Sequence, residues 1–351
     1  MTYTTDEKYM LRCIEIAKNG IGTTAPNPSV GAIVVHNGKI IGEGFTSPFG
    51  GAHAEVNAIG SVKNKALLPH STLYVTLEPC SHHGKTPPCA DLVLRHNIPR
   101  VVIGLKDPHI KVAGEGIQKL KDGGCEVHTG IMEKACRLHH KRFLKFHEEH
   151  RPYIILKWAQ TSDGFMAPES HERDSTAQPY WITNKASRQR VHFWRSQEQG
   201  ILVGTNTVLA DNPKLNVRLW SGKGPIPLVT DRLLKIPSDF NVLNGAVPAI
   251  VLTETADKKR YTKENTYAMI DFSKPLPEQI CNQCYKASIT SLFIEGGART
   301  LRSFINSDLW DEARVFTGNQ SFQEGLKAPT LPIAPTVTEK LNDDILNIYY
   351  R

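Results

Sequence analysis

The sequence predicts a layered α/β fold repeated in two domains, and three observations carry that prediction. Apolar runs of strand length alternate with amphipathic stretches of helix length, the pattern of a sheet flanked by helices. At 351 residues the chain is longer than one core usually serves, so two domains are expected. The alternation breaks at HEEHRPY, a polar stretch with a proline, which sets a boundary between residues 1–149 and 150–351.

A helix opens the first domain, with Thr5 as its cap and Met10, Cys13, Ile14 and Ala17 spaced by three and four on one face. Gly20 and Gly22 stop it. GAIVV and IIGEG then flank His36, Asn37, Gly38 and Lys39. An Asn-Gly pair between apolar runs marks a hairpin, because both residues tolerate positive φ. HAEVNAIGSV reads as a helix with His53 and Glu55 in its first turn. STLYVTLE is a strand, and Pro87 and Pro88 lead into a helix through ADLVLRHN, since proline suits helix starts. RVVIGL, GIQKLKDGG and CEVHTG follow as strand, helix and strand. A long helix from about Met132 to His147 closes the domain. The sheet this implies is mixed or mostly parallel.

The second domain restarts with YIILKWAQTSDG, a strand running into a turn. A helix follows Thr183 and runs through Arg195, and GILVGTNTVLADNP reads as a strand with a short helix or loop behind it. PIPLVTD, PAIVLT and TYAMIDF are successive strands, and PEQICNQCYKA is a helix. SLFIEGGARTLRSFINS gives strand, double glycine and helix; EARVFTG is a strand, and LNIYYR adds an edge. At IEGGARTL, Gly296 and Gly297 let backbone N–H groups approach a phosphate at a helix N-terminus. A plain tight turn between strand and helix fits that segment equally well. There is no G-x-G-x-x-G, which argues against a Rossmann domain.

Composition excludes fibrous and disordered classes, with 40% hydrophobic and 22% charged residues. The first residues lack the apolar core of a signal peptide, and no run reaches the length of a membrane span. A cytoplasmic protein with no membrane partner is expected. Seven cysteines, an odd number dispersed along the chain, argue against a disulfide framework. The formal net charge of +7 suits an anionic partner. Because the basic residues are scattered rather than gathered with aromatics, small anionic molecules fit better than nucleic acid. Cys281-x-x-Cys284 falls in a helix without a second pair, so ordinary helix cysteines are expected there.

The chemistry concentrates between His53 and Cys89. His53, Cys80 and Cys89 are the ligand types of a tetrahedral Zn2+ site, and three ligands leave the fourth position open for water, as catalytic zinc requires. Glu55, two residues beyond His53, is free to carry protons. His-x-Glu followed by Pro-Cys and a second cysteine is the pattern of zinc deaminases of bases, whose cysteines usually stand two residues apart. Here eight residues separate them. The bland alternative, buried cysteines beside a surface histidine, would need the spacing, the glutamate and the prolines to coincide.

HAE followed by PCSHHGKTPPC resembles the deaminase half of the bifunctional riboflavin-biosynthesis deaminase and reductase family. KWAQTSDG, the Trp181-Ile182-Thr183 segment, GTNTVLADNPKLNVR and IEGGARTL resemble, in order and spacing, pieces of its reductase half. The resemblance runs from about Thr5 to Thr317. It implies a cytidine-deaminase-like α/β/α layered domain, then a dihydrofolate-reductase-like α/β domain using NADPH, in a homo-oligomer, a dimer or higher. The implied substrate is a phosphorylated aminopyrimidine, deaminated with Glu55 carrying the proton and then reduced from ribosyl to ribityl. Carried over by position, substrate contacts fall at Asn27, His82, Lys85 and Asp107 in the first half. In the second they fall at Arg195, Leu215, Arg218 and Glu295. NADPH contacts fall at Gln160, Trp181, Thr207, Asp211, Gly297, Ala298 and Arg299. Two arginines can grip a ribose phosphate by bidentate hydrogen bonds, which gives Arg195 and Arg218 that role. Two rival readings remain: a deaminase with a non-catalytic reductase-like half, and a nucleic-acid deaminase with a C-terminal binding module.

Overall fold

The computed structural model describes residues 3–82, 87–108, 114–168, 177–256 and 264–351. The chain divides into two compact units, Met1–His150 and Arg151–Arg351.

The first unit runs α1 (Thr5–Ala17), β1 (Gly31–His36), β2 (Lys39–Phe45), α2 (Ala54–Ser61), β3 (Thr72–Val75), α3 (Cys89–Arg95), β4 (Arg100–Ile103), α4 (Glu115–Asp122), β5 (Glu126–Thr129), α5 (Glu133–His139) and α6 (Lys141–Glu149). Its cap is Thr4, not Thr5: the Thr4 hydroxyl accepts the Glu7 N–H and the Glu7 carboxylate accepts the Thr4 N–H. That reciprocal pair needs a Thr three residues before a Glu, which only Thr4 satisfies. Asn37 and Gly38, at φ of 47° and 73°, turn the chain between β1 and antiparallel β2, as the Asn-Gly signal requires. The sheet order β2-β1-β3-β4-β5 is mixed, with β3, β4 and β5 parallel. Ile33, Leu73, Val101 and Val102 are fully buried within it.

The long helix expected from Met132 to His147 is instead two, broken at His140. The imidazole of His140 is buried there, its Nε2 3.0 Å from the Thr76 hydroxyl, so a polar group turned inward interrupts the amphipathic pattern.

Two features place α2. Asn57 donates to the Phe45 carbonyl and the Ser47 hydroxyl at 2.7 and 3.0 Å. A Cβ on Gly44 would lie 2.3 Å from the Ala58 nitrogen, so the helix rests directly on the backbone of β2.

The second unit runs β6 (Tyr153–Gln160), β7 (Phe165–Ala167), α7 (Lys185–Arg195), β8 (Gly200–Gly204), α8 (Thr205–Asp211), β9 (Ile226–Thr230), β10 (Ile250–Thr253), β11 (Thr266–Met269), α9 (Leu276–Lys286), β12 (Ser291–Ile294), α10 (Ala298–Asn306), β13 (Glu312–Thr317), β14 (Leu326–Lys327), β15 (Val337–Leu341) and β16 (Asp344–Tyr350). Nine strands form one sheet in the order β11-β10-β9-β8-β12-β6-β13-β16-β15. Ile154, Leu156 and Trp158 of β6 enter one core cluster, while Tyr153 and Ile155 enter the other. Alternation at period two thus buries both faces of a central strand. LNIYYR is not an edge: β16 lies between β13 and β15, and β15 forms the border. The pattern of β15, mostly exposed, gave the sequence no apolar signal.

Candidate active sites in the two units

The first site gathers where β3 and β4 end and α2 begins. His53 is the N-cap of α2, Glu55 lies in its first turn, and Cys89 is the first residue of α3. Cys89 Sγ and Cys80 Sγ lie 3.4 and 3.6 Å from His53 Nδ1. A tetrahedral zinc with bonds of about 2.3 Å to sulfur and about 2.05 Å to nitrogen separates those ligand atoms by about 3.5 Å. The three residues therefore fit the ion. Among the described residues they form the one cluster of this kind.

The electrostatics agree. Cys80 is drawn down to about 4 by the hydrogen bond from Cys89, against burial and with help from His53. The proton left in the pair is held on Cys89 by that bond to Cys80 and by burial. The Cys89 N–H also donates to Cys80 Sγ at 3.3 Å. A bound cation favours both thiolates. Burial, then the charge of Cys80, pushes Glu55 up to about 7, and its side chain is almost wholly shielded from solvent.

A cavity of about 360 Å³ opens over this cluster. His53, Glu55 and Cys80 line it together with Asn27, His82 and Asp107, so three of the four substrate residues expected in this half face one space. The fourth, Lys85, lies outside the described residues.

The second site lies at the carboxyl ends of β6, β8 and β12, where ligands of open α/β sheets gather. Its cavity measures about 610 Å³, and Trp181, Thr207, Asp211, Arg195, Leu215, Arg218 and Glu295 line it. Gln160, Gly297, Ala298 and Arg299 do not. Gln160 instead accepts the Trp158 indole N–H at 2.9 Å, and the Gly297 N–H donates to the Thr207 hydroxyl at 2.8 Å. That bond ties the glycine turn to a lining residue.

The two arginines expected to grip a phosphate both line this cavity, in different settings. Arg195 is buried, donating to both Glu295 oxygens at 2.6 and 2.9 Å and to the Asn216 carbonyl at 3.2 Å. Three of its five N–H donors are so engaged. Arg218 is exposed and bonds Asn216 Oδ1 at 3.2 Å, which leaves it better placed for an anion. Trp181 is exposed as well, beneath the Arg188 guanidinium at 4.7 Å.

Two lining residues escaped the sequence reading. Lys157 Nζ lies 3.5 Å from Glu295; a lone lysine inside the apolar run of β6 was the available sign. Burial opposes charge on Glu295, but Arg195 and Lys157 outweigh it and hold the carboxyl at about 2. His192, on the inner face of α7, accepts the Arg218 N–H on Nδ1 at 3.2 Å. Burial, with Arg195 and Arg218, lowers it to about 4. Cys281 and Cys284 are buried in the core beside Ile280 and Leu292, as ordinary helix cysteines.

The first unit thus carries a catalytic-type zinc site and the second a separate cavity of about 610 Å³ at the ends of its sheet, the layout of an enzyme with two sites. Residues 3–105 match the cytidine and deoxycytidylate deaminase zinc-binding region, and residues 152–319 match the RibD C-terminal domain. The riboflavin biosynthesis protein RibD of Aquifex aeolicus is 37% identical over 99% of this chain and 98% of its own length. That of Bacillus amyloliquefaciens is 39% identical over 89% and 84%. A crystal structure of the Thermotoga maritima deaminase and reductase, 36% identical, superposes with a TM-score of 0.87 over 98% of each chain. Acinetobacter baumannii RibD, 31% identical, gives 0.89 over 99% and 98%.

The chain belongs to the RibD family of bifunctional riboflavin-biosynthesis enzymes, zinc-dependent deaminases and NADPH-dependent reductases of a phosphorylated aminopyrimidine. That family membership favours the bifunctional reading over both rivals. Among the described residues, no helix is long and apolar enough to cross a membrane.

Proposed function

We propose that the residues around the two cavities divide the two reactions as follows. His53, Cys80 and Cys89 hold zinc, which when bound supplies the Lewis acidity that makes water a nucleophile near neutral pH. Glu55 takes a proton from the attacking water and passes it to the ring nitrogen as ammonia leaves; buried in the cavity wall and not needed as a ligand, it is available for both. Asn27, His82 and Asp107 hold the pyrimidine and its phosphorylated ribose in the cavity, and Lys85 acts with them.

In the second unit Trp181, Thr207 and Asp211 bind the cofactor from the cavity wall, with Gln160 and the Gly297 to Arg299 turn acting from outside it. NADPH when bound would supply the hydride to C1 of the opened ribose, which with a proton from solvent becomes the ribityl chain. Arg218 holds the phosphate. Glu295, fixed by Arg195 and Lys157, faces the sugar with Leu215 beside it. Residues 1–149 and 150–351 serve as deaminase and reductase domains of a cytoplasmic homo-oligomer.

The observation that carries this reading is the match of the His53 to cysteine distances to the edges of a zinc tetrahedron, beside a buried Glu55. The test supplies the 2,5-diamino-6-ribosylamino-pyrimidinone phosphate with NADPH and follows ammonia and nicotinamide absorbance separately. Glu55→Gln is expected to retain zinc and lose ammonia release by about 10²–10⁴-fold. Release at the wild-type rate would sink the mechanism.

A further inference from the structure

Glu78 belongs to no motif singled out in the sequence, yet it lines the deaminase cavity and its side chain is 4% exposed. Its two oxygens accept four backbone N–H bonds. Oε2 takes those of Asp107 at 3.2 Å and Gly114 at 3.1 Å, and Oε1 takes those of Gly116 at 3.0 Å and Ile117 at 3.2 Å. Capping α4 needs only Gly116 and Ile117. Of the two bonds at Oε2, that from Gly114 stays at the helix cap and that from Asp107 reaches beyond it, to a residue lining the same cavity.

The surrounding backbone is equally tight. The Glu78 N–H donates to the Leu105 carbonyl at 2.9 Å, so the ends of β3 and β4 run side by side at this point. A Cβ on Gly116 would lie 2.0 Å from the Pro79 carbonyl oxygen. Two residues beyond Glu78 stands Cys80. One short segment therefore carries a zinc ligand and also a clamp on Asp107, and it fixes the distance between them. With both oxygens engaged by N–H donors, Glu78 takes no part in proton transfer.

We propose that Glu78 is a positioning residue for deamination, which acts by presenting Asp107 to the substrate. This rests on the assignment of Asp107 to substrate binding made above. The test is a double-mutant cycle in the full chain, with KM and kcat read from ammonia release. Glu78→Gln keeps size but turns an NH2 toward two of the four N–H donors. It is expected to raise KM about tenfold, or about 1.4 kcal/mol, while kcat stays within about threefold.

Because Glu78 acts through Asp107, the Glu78→Gln/Asp107→Ala double variant is expected to have no higher KM than Asp107→Ala alone. Zinc per chain, and NADPH oxidation with the deaminated intermediate, report that the protein is intact. Multiplied KM effects in the double variant overturn the proposal, and so does a fall in kcat at unchanged KM. If Glu78→Gln loses zinc, Gly116→Ala, which strains the same clamp from the α4 side, is judged by the same criteria. A wild-type KM for Asp107→Ala would show that the assignment of Asp107 itself has failed, a result visible without any Glu78 variant.

Discussion

The two sites are built on opposite plans. The zinc site draws its three ligands and its acid from one stretch, His53 to Cys89, and closes the three ligand atoms to within 4.8 Å of one another. The reductase cavity collects side chains from Lys157 to Glu295, off several strands, helices and loops. A metal needs few donors at fixed edges, which a short motif on two helix starts can supply. A cofactor and a sugar phosphate need a long, shaped surface, which only the assembled sheet provides.

The largest effect expected from this contrast is with zinc removal. Dialysis against a chelator should abolish ammonia release, leave NADPH oxidation with the deaminated intermediate in place, and be reversed by Zn2+. Loss of both activities together would break the comparison.

Next is Glu295, whose removal leaves Arg195 and Lys157 buried without their counter-charge. Glu295→Ala should destabilise the second unit by about 3–5 kcal/mol. All five tryptophans lie beyond residue 150, so their fluorescence in a denaturant titration reports this unit alone. An unchanged midpoint would mean that the ion pair is dispensable.

A gentler lever is pH. His192 is held at about 4, below its usual 6.5, so its contribution is complete above pH 6.5 and fades as pH falls toward 4. Glu295, held at about 2, adds a second loss below about pH 4.5. The tryptophan-detected midpoint should drop between pH 6.5 and 4, and His192→Asn should flatten that span. The smallest effect belongs to Cys284→Ala. It should cost about 1 kcal/mol and leave zinc per chain as it was; a drop in zinc would give the Cys281 pair a metal role after all.

The same contrast explains how much could be read in advance. Local chemistry was legible: the Asn37-Gly38 turn, Glu55 in the first turn of α2 with His53 one place earlier than expected as its cap, and Cys89 at a helix start all follow from neighbours in sequence. Partners far along the chain were not. Arg195 and Glu295 stand a hundred residues apart, so nothing in either segment shows that they pair. Glu78 looked like the end of a strand because its four donors come from Asp107 and from the start of α4. His140 broke a helix for the sake of Thr76, and β15 became the sheet border through pairing with β16 rather than through any apolar pattern.

Gly44 has a consequence for the chemistry that its lack of a side chain conceals. It sets the thickness of the layer between β2 and α2, and the N-terminal end of α2 carries both a zinc ligand and the proton carrier. A methyl group there would act like a shim under a lathe tool, lifting His53 and Glu55 together while the cysteines stay where α3 and the segment after β3 hold them. Selection on catalysis would then be felt at a residue with no functional group, one that a survey of ionisable side chains passes over.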